Sequence, residues 1–132
     1  IVDLLPLPGL VTFAEKFEFD EQIVLPYLQE QLSTYDLNNF ESIVLGCTHF
    51  SLFKDMFKKL LPSSMEIIDG NTGTINNLKR TLKNSVSSVS NLKGSGTLTF
   101  YNSGIKVEDR LLLSAYSNLF QKLDSFSASY RM

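Results

Sequence analysis

The chain has 132 residues, 43% of them hydrophobic and 20% charged, with a formal net charge of −2. That length and composition suit one soluble globular domain. No basic cluster is longer than Lys58-Lys59 or Lys79-Arg80, so the concentrated positive surface that nucleic acid needs is missing. No apolar run is long enough to span a bilayer, and no signal-peptide pattern opens the chain. Ten Phe and five Tyr supply bulk for a core, and the single Cys cannot form an intramolecular disulfide. A reducing, cytoplasmic setting fits that cysteine count. The first residue is Ile1 rather than Met, which favours a processed or partial chain.

Residues 1–10 are apolar but broken by Pro6, Pro8 and Gly9, which oppose a central strand or a helix interior. An irregular segment is expected there, followed by a short helical turn within 11–19. Asp20 suits an N-cap, with Glu21 where a helix dipole favours negative charge. The helix it opens should run to about Leu32 through Ile23, Val24, Tyr27 and Leu28. Pro26 interrupts that pattern, unless the helix begins at Pro26 itself. Residues 33–41 are polar and predict a loop.

Residues 42–45, Ser-Ile-Val-Leu, read as a short buried strand. The turn Gly46-Cys47-Thr48-His49-Phe50 follows and holds the only cysteine and the only histidine. A helix over 51–61 is expected from Leu52, Phe53, Met56, Phe57 and Leu60, stopped by Pro62. Residues 65–69 predict a second strand. Strand, helix and strand at this spacing form a βαβ unit with two parallel strands. Thr72 or Thr74 should cap the next helix, with Asp69 as another candidate. Residues 84–96 are rich in Ser, Asn and Gly and predict a mobile linker. Residues 97–101 alternate as a strand does, 102–104 turn, and 107–123 carry a last helical stripe. The tail, 124–132, is expected to fray. The fold class that results is α/β, a parallel sheet flanked by helices.

The turn after the first strand carries the chemistry. Open α/β sheets bind ligands at the carboxyl edge of their strands. Unpaired amides and a helix start beside Cys47 favour thiolate over thiol, lowering a pKa of about 8.5. His49 is placed to orient the thiol or exchange a proton with it. Thr48 and the loop amides suit a carboxylate, and Gly46 admits a ligand close to the backbone. The plain alternative is a small buried apolar cysteine, a capping histidine, and a solvated Glu15. One Cys and one His fall short of a metal's usual ligand set.

Preceded by Ile-Val-Leu, Gly46-Cys47-Thr48-His49-Phe50 resembles the second cysteine motif of the glutamate racemases, usually Leu-Gly-Cys-Thr-His-Tyr-Pro. Related aspartate racemases tend to have Glu where His49 stands. Residues 10–15 are similar to the family's Phe-Val-Pro-Leu-Val-Glu stretch. Residues 67–69 are similar to the strand after the catalytic helix, and 100–104 to the late Phe-Tyr-Thr-Ser-Gly strand. Ser51 replaces the usual Pro, Phe50 the usual Tyr, and Leu5-Pro6 a common Cys-Pro. The resemblance covers nearly the whole chain but only the second half of a member. The early Asp-Ser-Gly motif and the first cysteine, in Cys-Asn-Thr, are absent from it.

That resemblance implies a racemase-like fold, with 1–70 in the second α/β lobe and 71–132 as the segment completing the first. It implies cofactor-independent inversion of glutamate by two cysteines, supplying D-glutamate for peptidoglycan. Cys47 would be one acid/base, assisted by His49 and Glu15, with Thr48 and Gly46 on the substrate. With one cysteine, the chain alone should be inactive. Members are often dimers, so a homodimer is one expectation for partners besides the small-molecule substrate. The rivals are another racemase of the superfamily and a non-catalytic amino-acid-binding or interaction module of the same fold.

Overall fold

Helix α1, Pro8–Glu15, opens with Pro8 in its first turn. Proline suits that position, because its missing N–H would have no partner there anyway. The irregular segment is therefore shorter than expected, and Gly9 and Leu10 are helical. The structure is a computed structural model and describes residues 2–85 and 97–129. Helix α1 ends in a paired closure: Phe17 N–H donates to Ala14 O at 3.0 Å and Glu18 N–H to Phe13 O at 2.8 Å. This closure needs a left-handed residue, usually Gly. Phe17 takes the role with φ of 54°, at a cost of about 1–2 kcal/mol. The closure stops the helix directly after Glu15.

Helix α2, Glu21–Leu32, begins where expected, and the Asp20 side chain accepts from the Gln22 amide at 2.8 Å. It runs through Pro26. Proline there forfeits the amide bond to Gln22. Val24, Leu28 and Leu32, one turn apart, are buried and hold the helix to the core despite that loss. The 33–41 loop contains one 3-10 turn, Leu37–Asn39, whose Asp36 side chain accepts from Asn38 N–H at 3.2 Å.

Strand β1, Ser42–Leu45, and strand β2, Glu66–Asp69, pair in parallel, with Ser42 opposite Glu66 and Leu45 opposite Asp69. The connection between them is not one regular helix. A 3-10 turn, Phe50–Phe53, precedes helix α3, Lys54–Leu60. Leu61 is extended, as the residue before a proline prefers. Leu10, Val24, Leu28, Phe53, Met56 and Phe57 are fully buried between α1, α2 and the α3 segment. Ile43 and Ile67 pack against this cluster, and Leu45 belongs to it.

Helix α4, Asn71–Ser85, follows β2 at once. Thr72 and Thr74 lie inside it rather than capping it. The cap role falls to Asp69, whose Oδ1 accepts from the Asn71 amide at 2.9 Å. Thr74 Oγ1 donates back to Gly70 O at 2.9 Å. The first two residues of the expected linker finish α4, and the rest of it, 86–96, lies outside the described residues.

The chain divides into two compact units, Ile1–Ser85 and Val86–Met132. In the second, the expected 97–101 strand is reduced to a hairpin of β3, Tyr101–Asn102, and β4, Ile105–Lys106. Ser103 and Gly104 both have positive φ, 49° and 80°, the pattern of a two-residue turn that follows the twist of its strands. Helix α5, Arg110–Ser129, starts later than expected, because Asp109 accepts from the Leu112 amide at 2.8 Å. It continues through 124–129, where fraying was expected. Phe100 and Tyr116 stack at 5.2 Å. No described helix is long and apolar enough to cross a membrane.

Candidate active site

The turn at the carboxyl end of β1 holds Cys47 and His49, and α1 brings Glu15 to them. Cys47 Sγ lies 3.6 Å from His49 Nδ1, and His49 Nε2 lies 2.9 Å from Glu15 Oε1. A carboxylate can only accept, so the proton between Glu15 and His49 belongs to Nε2. That leaves Nδ1 free to accept the thiol proton. Glu15 thereby fixes the tautomer that makes His49 a base toward Cys47.

The electrostatics follow from this chain of contacts. The His49 imidazole hydrogen-bonded to the sulfur, then the amides of His49 and Phe50, hold the Cys47 thiol below its ordinary value. The sulfur, and behind it the Glu15 carboxylate, raise His49 above its own. Both shifts favour a thiolate–imidazolium pair. A helix start was expected to lower the thiol. The element after the turn is instead a 3-10 turn followed by seven residues of α3. The lowering comes from a side chain and from individual amides.

All three catalytic candidates converge, and Cys47 and His49 are half-buried while Glu15 is largely exposed. Thr48 and Gly46 flank them on the exposed side of the turn. A Cβ on Gly46 would meet nothing within 4 Å, so the protein itself does not require glycine there.

Two supports were not read from the sequence. Lys54, opening α3, bonds Asp69 Oδ2 at 2.8 Å at the end of β2. Lys54 and the adjacent amides hold the Asp69 carboxyl below its usual range. The bridge ties the segment after His49 to the sheet. Tyr27 of α2 accepts the Gly9 amide on its hydroxyl at 3.1 Å and meets the Phe13 ring edge-on at 5.6 Å. It holds α1, and hence Glu15, from two points. The available signal was weak: Gly9 in a helix start, with a tyrosine among the apolar positions of α2.

The chain is 45% identical over 132 residues to "Glutamate racemase 2" of Bacillus subtilis, covering 98% of this chain and 48% of that protein. It is 50% identical over 111 residues to "Glutamate racemase" of Halothermothrix orenii, covering 84% of this chain and 44% of that one. With the "Glutamate racemase" of Campylobacter concisus it shares 44% over 126 residues, 96% of this chain and 47% of that relative. No family model matches the chain. No solved structure matches it. The chain thus spans about half the length of the curated relatives it matches. Over nearly its whole length the chain is similar to glutamate racemases, matching about half the length of each.

Proposed function

We propose that this chain supplies one of the two acid/base faces of a glutamate racemase active site. Cys47 is the group that takes or gives the α-proton of glutamate on one face. The observation that carries the proposal is the Cys47–His49–Glu15 array in a chain 45% identical to a named racemase. Removing an α-proton needs a base poised at working pH and held next to the carbon. The lowered thiol supplies the base, and His49 takes up the charge that moves when sulfur gains or loses a proton. Thr48 and the turn amides receive the substrate carboxylate, and Gly46 leaves room beside the backbone. No cofactor enters this scheme.

Inversion needs a second acid/base on the opposite face of the carbon. Cys47 is the only cysteine here, so the second thiol belongs to the half of the racemase that this chain does not match. In that whole enzyme, 1–70 form one α/β lobe of the racemase fold and 71–132 complete the other. Its product serves the D-glutamate of bacterial cell wall, and the enzyme works in the cytoplasm.

The test is α-proton exchange from L- and D-glutamate in deuterated water. The 132-residue chain alone is expected to show no turnover. Joined to the unmatched half of the Bacillus subtilis relative, it is expected to racemise, and Cys47→Ala to abolish this. Turnover by the lone chain, an inactive joined pair, or activity that survives Cys47→Ala each overturns the proposal.

A further inference from the structure

The two ends of the reactive turn meet at one carboxylate. Leu45, at the end of β1, lies opposite Asp69 in the parallel register. Lys54, the first residue after the 3-10 turn, bonds Asp69 Oδ2 at 2.8 Å. Residues 46–53 are therefore a loop closed at its base by Asp69. Inside the loop, backbone bonds overlap along the chain. Phe50 N–H donates to Cys47 O and Leu52 N–H to His49 O, both at 3.1 Å, and the Lys54 amide donates to Ser51 O. A displacement of Lys54 reaches His49 through this bonded backbone rather than through a slack tether.

Asp69 is suited to hold that base. Its side chain is 6% exposed and that of Lys54 24%, whereas Lys59 and Glu21, another ion pair of α3, are 50% and 46% exposed. Solvent and salt screen the second pair far more than the first. The other Asp69 oxygen, Oδ1, accepts the Asn71 amide at 2.9 Å. The starts of α3 and α4 thus fix the carboxylate from two elements, and a side chain fixed in this way can orient a group beyond it.

We propose that Lys54 and Asp69 are positioning residues for the reaction at Cys47: their bond closes the turn so that His49 Nδ1 stays against the sulfur. Both act through His49 and not on the reacting carbon. Positioning is costly to lose, since a misplacement of about 1 Å can cost about 100-fold in rate. The bearing on glutamate rests on the racemase proposal; the bearing on Cys47 does not. A direct electrostatic field would behave differently. Loss of the Lys54 cation would raise the thiol and loss of the Asp69 anion would lower it. Loss of position raises it in both cases, because the imidazole contact is the main cause of the lowered thiol.

The experiment follows the pH midpoint of iodoacetamide alkylation in the 132-residue chain, whose single cysteine makes the rate a reading of Cys47. Lys54→Met and Asp69→Asn are each expected to move the midpoint upward by about half a pH unit or more, about a threefold loss of thiolate below it. The His49 proton resonances should titrate lower in step, since the sulfur is the main cause of the raised histidine. Lys54→Arg keeps a cation on the carboxylate and is expected to restore the midpoint, and Lys59→Met to leave it in place. Lys54→Met combined with Asp69→Asn leaves neither charge of the pair uncompensated. That double variant replaces a single one that circular dichroism shows unfolded, and it is expected to shift as Lys54→Met does. An unmoved midpoint, opposite shifts in the two single variants, no restoration by Lys54→Arg, or an equal shift in Lys59→Met overturns the inference. Glutamate turnover by the joined racemase is read separately. Shifted midpoints without turnover remove the racemase proposal and keep the positioning pair, whereas turnover with unmoved midpoints does the reverse.

Discussion

The two compact units use similar apolar patterns to different ends. In 2–85, the pattern of α2 and the 51–61 segment closes on six fully buried side chains, from Leu10 to Phe57. In 97–123, only Val107 is buried, and Leu111, Phe120 and Leu123 remain exposed on α5. Helix α4, within the first unit, behaves like α5: Ile75, Leu78 and Leu82 share a stripe, each at least half exposed. An apolar stripe specifies a face to be covered, and only tertiary partners decide whether it becomes core. The first unit provides those partners for α1–α3. The described residues do not provide them for α4 and α5.

The strongest way to break this contrast is to empty the core. Phe57→Ala should destabilise the first unit by about 3–5 kcal/mol, while Leu111→Ala should change stability by no more than about 0.5 kcal/mol. Urea titration followed by circular dichroism measures both, and similar costs would contradict the contrast. Gly9→Ala comes next. Its Cβ would lie 2.5–2.9 Å from the Tyr27 ring tip, and that ring is braced by Phe13. Overpacking of this kind costs about 1–3 kcal/mol. It also displaces α1, so the reactivity of Cys47 should fall with stability. Unchanged alkylation of Cys47 would show that Glu15 holds its place without this lock.

These positions also mark what the sequence reveals. The bounds of α2 and β1 were legible because Asp20 caps one and polar residues flank the other. The reactive turn was legible as well, since Cys47 and His49 are near neighbours. Glu15 is 34 residues from His49, and no local spacing joins them; only resemblance pointed to it. Residues 51–53, which belong to the 3-10 turn Phe50–Phe53, were read as the start of an α-helix because both bury a similar apolar periodicity. The caps at Thr72 and Thr74 were misplaced because Asp69, still in the strand, accepts the first amide itself. The 97–101 alternation predicted a longer strand than forms, since β propensity depends on a neighbouring strand and cover.

The chemistry of the turn sharpens the comparison further. His49→Gln should move the pH midpoint of Cys47 alkylation upward, because the imidazole is the main cause of the lowered thiol. A midpoint that stays in place would assign the lowering to the backbone amides. The ordering of causes for His49 makes a companion prediction: its titration should move down more on Cys47→Ala than on Glu15→Gln. Proton resonances of the single histidine report both.

The smallest effect expected is the stability supplied by the Glu15–His49 contact. Glu15 is 70% exposed, so solvent screens the pair, and exposed ion pairs contribute about 0–1 kcal/mol. The sign is nevertheless fixed. His49 is raised on folding, so its contribution is complete below the unfolded value of about 6.5 and disappears as pH rises through the higher folded value. Wild type should therefore exceed Glu15→Gln slightly at pH 5.5, and the gap should close in mildly alkaline solution. A gap that widens with pH would mean that Glu15 acts through something other than the imidazolium. A pair that adds so little to stability while setting the histidine tautomer contributes mainly to the reactivity of Cys47, whereas Phe57, far more costly to remove, contributes to the fold.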